Sequence, residues 1–296
     1  MQNALSLLAL SVIAATTVAA QDKPSSQASD VRTRDIYVSV LDSKGAAVTG
    51  LGAADFAVRE DTVEREVLRA TPATDPLDIV LLVDDSQAAT RAIPYLRDGL
   101  SRFIDRMHGK AAIGIVTLGE RPTSVVERST DVAALKKGVN RIFARPGSGA
   151  YLLEAISEVS RGFQKREAKR PVIVAITIEG VEFSNLSYER VLDDLYKSGA
   201  ALHVLAVGTP VAITSDEIRN KNVVISDGTD ATGGRRDQLL SELAIPETLT
   251  KVAGELLHQY VVTYARPDAL VPPEKVQVTV KKPGLTARAR TRLPSK

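Results

Sequence analysis

Four near-continuous apolar runs constrain the fold of this 296-residue chain more than any other feature. They are Ile79–Val83, Ile113–Leu118, Val172–Ile176 and Leu202–Val207. A strand that is apolar at every position has no face in water, which is typical of a parallel sheet covered by helices on both sides. Helical periodicity fills the intervals, with apolar residues three or four apart in 93–107, 132–142 and 152–163 and a further helix predicted over 188–197. The alternation predicts an α/β fold with a doubly wound, Rossmann-like, mostly parallel sheet.

Short β segments flank this region at both ends of the chain. Two precede it and three follow it, after a helix predicted at Pro246–Gln259. The segments are Ile36–Leu41 and Asp55–Asp61 before the α/β region, and Tyr260–Tyr264, Val276–Val280 and Thr286–Arg292 after it. Neither flank carries enough apolar surface to fold by itself. We therefore predict that the N- and C-terminal flanks pair into one small β domain.

The amino terminus has the pattern of a secretory signal peptide. Residues Ala4–Ala20 are apolar and small, and Val18-Ala19-Ala20 offers a cleavage site before Gln21. A stretch of this length lies at the lower limit for a membrane anchor, which is the alternative. We predict a secreted or periplasmic protein with no membrane span after cleavage. The predicted divisions are a signal peptide at 1–20, a linker at 21–34, the first part of the small β domain at 35–72, the α/β domain at 76–258 and the second part of the β domain at 259–293.

Composition excludes several classes of function. The chain has no cysteine, which rules out disulfides, thiol catalysis and cysteine-ligated metal. A net charge of +2 gives no indication of nucleic-acid binding. His203 lies inside an apolar run, where we expect a core residue with satisfied ring nitrogens. Basic residues crowd the last stretch, and we interpret them as the solvated face of a strand; they are Lys275, Lys281, Lys282, Arg288, Arg290, Arg292 and Lys296.

Three polar loops carry the residues that most resemble a binding site. The first follows the first apolar run and reads Asp84-Asp85-Ser86-Gln87-Ala88. The second contains Gly147-Ser148-Gly149-Ala150, and the third contains Thr177-Ile178-Glu179-Gly180. In a doubly wound fold, ligands bind outside the carboxyl ends of the strands. These loops resemble those of the metal-ion-dependent adhesion site in the von Willebrand factor type A family.

Motifs in the rest of the chain resemble a bacterial exported branch of the same family, the von Willebrand factor A-related proteins. The resemblance extends from about Arg34 to Arg292. The motifs are Val48-Thr49-Gly50-Leu51, Asp55-Phe56-Ala57-Val58-Arg59-Glu60-Asp61, Ala231-Thr232-Gly233-Gly234, Leu257-His258-Gln259-Tyr260 and Lys282-Pro283-Gly284-Leu285-Thr286-Ala287-Arg288-Ala289-Arg290. Their common order and spacing make the resemblance more specific than any one of them does.

The resemblance implies a bound Mg²⁺ or Mn²⁺ held by oxygen atoms from all three loops, with a partner's carboxylate at the open position. Asp84 and Ser86 match two of the family's ligand positions. Ala88 and Ala150 stand where the family has hydroxyl side chains, although a shift of one residue would bring Ser148 near. The site therefore lacks two of the oxygens that the family uses.

The third loop is also altered. Glu179 stands where the family has an aspartate, and its additional methylene group displaces the carboxylate. We predict a degenerate site formed by Asp84, Ser86 and Glu179, with weak or absent Mg²⁺ or Mn²⁺ binding and no other cofactor. The predicted protein-binding residues are Asp84, Asp85, Ser86, Ser148 and Glu179.

These observations predict an exported, non-enzymatic protein-binding or adhesion-type module whose protein ligand the sequence does not identify. One alternative is a metal-independent structural scaffold of the cell envelope. Another is an Asp-based hydrolase or phosphatase that uses Asp84 and Asp85. The first strand is not followed by Gly-x-Gly-x-x-Gly, and no Gly-x-Ser-x-Gly segment occurs, so dinucleotide binding and serine hydrolysis are disfavoured.

The acidic loop residues also have purely structural interpretations. Asp85 or Ser86 is suited to cap a helix that begins near Ala89. Glu179 is suited to be a solvated loop carboxylate beside a turn glycine. The stretch 209–243 has few apolar residues, and we predict exposed loops there with a short strand at Asn222–Ile225.

Overall fold

The computed structural model describes residues 32–210, 212–266 and 273–293, so the predicted signal peptide lies outside the described residues. The strands are β1 Thr33–Leu41, β2 Phe56–Glu60, β3 Val63–Arg65, β4 Val67–Pro72, β5 Leu77–Val83, β6 Ala111–Thr117, β7 Thr123–Ser129, β8 Pro171–Ile178, β9 Ala201–Val207, β10 Arg236–Leu239, β11 Tyr260–Ala265, β12 Val276–Val280 and β13 Thr286–Ala289. The helices are α1 Ile93–Met107, α2 Val132–Val139, α3 Leu152–Lys165, α4 Tyr188–Ser198, α5 Asp216–Thr232 and α6 Ile245–Leu257.

The four apolar runs form the centre of a six-stranded sheet. Its strand order is β10-β9-β8-β5-β6-β7. All neighbouring strands are parallel except β7, which pairs antiparallel with β6. The sequence did not predict the two edge strands, β7 and β10, because neither has a buried apolar run. The prediction of a doubly wound, mostly parallel sheet is confirmed.

Helices cover both faces of this sheet, which explains why its inner strands are apolar at consecutive positions. Side chains such as Leu81 and Val83 pack with α1, α2 and α6 on one face. Alternate side chains such as Val80 and Leu82 pack with α3, α4 and α5 on the other. Since successive side chains of a strand point to opposite faces, both sets are withdrawn from water.

The flanks of the chain pair with each other, as the fold class predicts, but they form two antiparallel sheets. One has the order β13-β1-β11-β4 and the other β12-β2-β3. Val38 of β1 lies opposite Tyr260, and Val58 of β2 lies opposite Val278. The sheets share one apolar core, in which the rings of Phe56 and Tyr260 meet edge to face at 5.5 Å.

Helix α5 replaces the strand that we predicted at Asn222–Ile225, so that prediction is wrong. Ser215 accepts a hydrogen bond from the Ile218 N–H at the start of the helix, and Gly233 ends it in the left-handed conformation with a φ of 74°. The buried face consists largely of polar and small residues, namely Lys221, Val224, Ile225, Gly228, Thr229 and Thr232. An apolar stripe was therefore missing from the sequence, although these positions recur with helical spacing.

Two of the family-like motifs meet at the end of α5. Gly233 and Gly234 pass between the C-terminal flank and strand β9 at very short range. A Cβ on Gly233 would lie 2.3 Å from the carbonyl carbon of Ala289, and one on Gly234 would lie 1.7 Å from the Leu202 carbonyl oxygen. The N–H of Thr291 donates to the Ala231 carbonyl at 3.0 Å. The motif thus serves as a packing surface for the last strand.

The basic C-terminal residues include arginines that pack on the α/β domain, so the interpretation of the whole set as a solvated face is wrong. Arg288 donates to both oxygens of Glu255 at 3.0 Å. Arg290 donates to the Gly199 carbonyl at 3.1 Å, and burial lowers the pKa of its guanidinium. These contacts attach β13 and the residues after it to α6 and to the turn after α4.

His203 is buried on β9, as expected, but its ring nitrogens are not satisfied. Its side chain has no exposed surface. Neither Nδ1 nor Nε2 has a hydrogen-bond partner among the described residues. Burial lowers the pKa of His203 to about 4, with a smaller opposing effect of Glu255. The folded protein therefore holds the neutral imidazole in a buried position close to Glu255, Arg288 and Arg235.

This burial predicts a loss of stability in mild acid. Below pH 6.5 the unfolded chain binds a proton at His203, whereas the folded protein binds it only near pH 4. The free energy of unfolding should therefore fall between these values, by about 3 kcal/mol for this residue. His203→Leu should remove that part of the pH dependence. It should also stabilise the fold at pH 8 by about 1 kcal/mol, because two unpaired buried nitrogens disappear.

Urea unfolding of wild type and His203→Leu at pH 8, 6.5 and 5 measures the effect. The difference between the two proteins cancels the titration of the carboxylates that they share. A difference that stays constant from pH 8 to pH 5 would contradict the prediction. His108→Leu is the control, since His108 is exposed at the end of α1.

Within 32–210, 212–266 and 273–293, no helix has the length and apolar character needed to cross a bilayer.

Candidate functional site

The first and third loops meet at the carboxyl ends of β5 and β8, where the sequence placed the site. Asp84 follows β5 directly and is completely buried. Its Oδ1 accepts a hydrogen bond from the Ser86 N–H at 2.9 Å, and its Oδ2 accepts one from the Ile178 N–H at 2.8 Å. Burial raises the pKa of Asp84, and these hydrogen bonds oppose the increase. Asp84 therefore joins the first loop to the end of β8.

Asp85 joins the first loop to its other neighbours. Its Oδ1 accepts from the Gly119 N–H at 2.6 Å, and its Oδ2 accepts from Nε of Arg145 at 2.8 Å. The hydrogen bond to Asp85 raises the pKa of Arg145. Asp85 is thus not a helix cap. Ser86 begins a short 3-10 helix at Gln87–Arg91, but its hydroxyl makes no capping hydrogen bond.

The second loop lies between the other two. Its Gly147 N–H donates to Oε1 of Gln87 at 2.8 Å. The Ser148 hydroxyl donates to the Arg145 carbonyl at 2.9 Å within its own loop. Ala150 is buried and exchanges backbone hydrogen bonds with the third loop, through Val181 at 2.9 Å and Phe183 at 2.8 Å. The fold brings the three predicted loops together.

Glu179 is not the solvated loop carboxylate that its neighbouring glycine suggested. Its side chain is 12% exposed, and its Oε2 lies 3.1 Å from Nζ of Lys221, whose side chain is 3% exposed. Lys221 reaches the loop from helix α5. Lys221 was not among the predicted site residues, because a strand was predicted at residues 222–225. The Ser215 cap, the acidic residues Asp216 and Glu217 and the terminal Gly233 were the available signals for the helix.

A second buried glutamate follows in the same loop. Oε1 of Glu182 accepts hydrogen bonds from the N–H groups of Leu152 and Ser184, both at 3.2 Å. The Ser184 hydroxyl also donates to Glu182 and accepts from the Leu153 N–H at 3.0 Å. Burial raises the pKa of Glu182 to about 7, against the opposing effects of Ser184 and Lys221. The third loop thus caps helix α3, a role that the sequence did not indicate.

These residues supply fewer side-chain oxygens than an octahedral site for a hard divalent cation uses. Each oxygen of Asp84 already accepts a backbone hydrogen bond, and the hydroxyl of Ser148 is bound within its own loop. Ala88 and Ala150 supply no side-chain oxygen, and the Glu179 carboxylate is paired with an ammonium group. Across the described ranges, no group of three or more His, Asp or Glu side chains is arranged to hold an ion. Weak or absent metal binding stays a prediction that measurement must test.

The sequence and the fold were compared with known proteins. Residues 79–179 match the family model described as the von Willebrand factor type A domain. A von Willebrand factor type A protein from Catenulispora acidiphila superposes with a TM-score of 0.52 at 13% identity, over 90% of this chain and 75% of that chain. Proximal thread matrix protein 1 from the mussel byssus gives a TM-score of 0.51 at 15% identity, over 67% of this chain and 50% of that chain. No curated protein matches the sequence significantly.

A doubly wound sheet whose polar loops converge at its carboxyl edge defines a class of α/β ligand-binding domains. The matched segment begins in β5 and ends at Glu179, so it contains the first two loops and only the start of the third. Residues 79–179 match the model of the von Willebrand factor type A domain, so the resemblance to that family inferred from the sequence is confirmed.

Proposed function

We propose that this chain is an exported, non-enzymatic protein-binding module that holds its partner at the carboxyl edge of the six-stranded sheet without a bridging metal ion. The supporting observation is a set of exposed apolar side chains after three neighbouring strands. Val181 and Phe183 follow β8, Ile213 follows β9, and Leu240 follows β10, with exposed fractions between 44% and 79%. Since β8, β9 and β10 are adjacent in the sheet, their loops are adjacent too.

An apolar rim of this kind is suited to a protein partner. Exposed large apolar side chains that cluster at one edge mark interaction sites more often than single ones do. A groove of about 460 Å³ lies between the N-terminal halves of α1 and α6 and is lined in part by Tyr95, Leu243 and Pro246. Aromatic and aliphatic side chains of this type can bind a protein partner without a carboxylate that bridges to a metal ion.

The acidic pair offers little support for the hydrolase alternative. A nucleophilic carboxylate needs an oxygen that can approach the substrate. Asp84 has no exposed surface, and Asp85 is held by Gly119 and Arg145. Their hydrogen bonds connect loops, which favours a structural role for both. Export beyond the inner membrane is part of the proposal and rests on the signal-peptide pattern of residues 1–20.

Site-specific photo-crosslinking tests the proposal in intact cells that make the full chain. A photoreactive amino acid replaces Phe183 in one variant and Ile213 in another. We expect both variants to crosslink the same protein, with equal yield before and after treatment with EDTA. Phe183→Ser should weaken binding of that protein about tenfold or more, as expected for an apolar side chain central to an interface.

The control variants carry the same photoreactive group at Lys110 and Lys169. Both residues are exposed. Lys110 directly precedes β6 and Lys169 lies two residues before β8, so both are at the opposite edge of the sheet. Crosslinks that form only at these two positions would place the interface elsewhere. Loss of the crosslink in EDTA would show that the partner is held through a metal ion.

A further inference from the structure

The ammonium group of Lys221 lies in the interior of the protein, where lysine is rare. Lysine is almost never fully buried unless its charge is paired. Lys221 is 2% exposed, and its Nζ lies 3.1 Å from Oε2 of Glu179. Among the described residues, Lys221 forms no other ion pair. The pair joins the buried face of α5 to the loop after β8.

The same positive charge acts on a second carboxyl group. Lys221 lowers the pKa of Glu182, although burial of that group has the larger and opposite effect. Glu179 and Glu182 therefore share one internal cation. Around them, Glu182 caps helix α3 through the Leu152 N–H, and the Glu179 N–H donates to the Val207 carbonyl at 2.7 Å. The lysine thus acts on a loop that is bound to α3, β9 and the second loop.

We infer that Lys221 is the resident cation of this site and holds the third loop in place of a divalent ion. A divalent ion draws carboxylates of different loops together because each donates an oxygen to it. An ammonium on α5 neutralises the two carboxylates of the third loop from inside the chain, and it cannot dissociate. It also repels any divalent cation that approaches Glu179. The loop is then formed whether or not metal is available.

This assignment rests on the metal-free binding face proposed above, but its test needs no partner. Lys221→Gln removes the charge and leaves an amide that can still donate to Glu179. The double variant Lys221→Gln/Glu179→Gln removes both charges. Calorimetric titration with Mn²⁺ and thermal unfolding with 5 mM Mn²⁺ or EDTA are recorded for residues 21–296, the chain without the predicted signal peptide.

We expect no Mn²⁺ binding and no change in Tm for the wild type. Lys221→Gln should have a lower Tm in EDTA, and Mn²⁺ should raise that Tm by about 2 °C, because the freed carboxylates accept the ion. The double variant should not respond to Mn²⁺. Lys251→Gln is the matched control, since Lys251 forms an exposed pair with Glu247 at 2.8 Å, and it should show neither effect.

Three results would overturn the inference. Sub-millimolar Mn²⁺ binding by the wild type would mean that a metal occupies the site beside the lysine. A Lys221→Gln protein that is destabilised but does not respond to Mn²⁺ would reduce the pair to an ordinary ion pair. A Lys221→Gln protein as stable as wild type would show that the ammonium group does not stabilise the third loop. If Lys221→Gln does not fold in EDTA, folding in 5 mM Mn²⁺ supports the inference, and failure to fold in Mn²⁺ as well opposes it.

Partner binding distinguishes this result from a failure of the proposed function. Wild type that crosslinks its partner in EDTA and also binds Mn²⁺ would retain the proposed function and lose the inference. If the wild type does not bind Mn²⁺ and no protein crosslinks at positions 183 and 213, the proposed function is lost and the inference about Lys221 is retained.

Discussion

Replacing Gly234 by alanine should lower the free energy of unfolding by about 3 kcal/mol or more, because overpacking against rigid backbone cannot be relieved by a rotamer change. The new Cβ would lie 1.7 Å from the Leu202 carbonyl oxygen and 2.4 Å from its carbon. Leu202 belongs to β9, which is held between β8 and β10. To make room, the chain after α5 must move away from the sheet, and β10 must move with it.

Gly254→Ala is the matched control for this prediction. Gly254 lies in helix α6, and a Cβ built there meets no atom within 4 Å. The same change should stabilise the protein by about 0.5–1 kcal/mol, since alanine loses less backbone entropy in a helix. Urea unfolding followed by circular dichroism measures both variants. Equal effects of the two substitutions would contradict the close contact at Gly234.

Replacing Glu255 by glutamine should cost about 3 kcal/mol, because removing one partner leaves buried charges uncompensated. The Glu255 side chain is 1% exposed and accepts from Arg288 at 3.0 Å, and Arg235 lies 3.7 Å away. The amide keeps the shape but carries no charge, so Arg288 loses its counter-ion, whereas Arg235 retains its pair with Asp237. Since Arg288 belongs to β13, the variant should also weaken the attachment of the C-terminal flank to α6.

Glu247→Gln on the same helix is the control for Glu255→Gln. Glu247 pairs with Lys251, but its side chain is 74% exposed. Exposed pairs contribute little, so the change should cost less than about 0.5 kcal/mol. Hydrogen exchange provides a second measurement, in which Glu255→Gln should increase exchange in β13 and Glu247→Gln should not. Unaltered stability of Glu255→Gln would mean that Arg288 does not depend on the charge of Glu255.

Helix α5 shows where reading the sequence failed. Its buried face carries Lys221, Gly228, Thr229 and Thr232, residues that are usually exposed or that disfavour helices. Each is acceptable only because of a neighbour in the fold. Lys221 meets Glu179, and Gly228 leaves space for Leu202 and Leu195. Periodicity of apolar residues cannot reveal a helix whose buried face is made compatible by tertiary partners.

For the three polar loops, the sequence predicted the position of the site but not the contacts within it. The order of the motifs placed Asp84, Ser148 and Glu179 at one edge of the sheet, and the structure brings their loops together. The sequence could not show how each carboxylate is used. Asp85 was interpreted as a possible cap, yet it binds Gly119 and Arg145, residues 34 and 60 positions away. Such partners depend on how distant segments meet, which no local pattern records.

The sequence by itself determined the α/β class, the order of the inner strands along the chain and the pairing of the two flanks. Those features follow from hydrophobic periodicity, which every residue of a strand or helix reinforces. Only the tertiary structure decided which charges face each other. The pairs Lys221 with Glu179 and Arg288 with Glu255 join segments that are 42 and 33 residues apart. A buried charge is stable only beside its partner, so its role becomes visible once the helices and strands that carry both groups are packed.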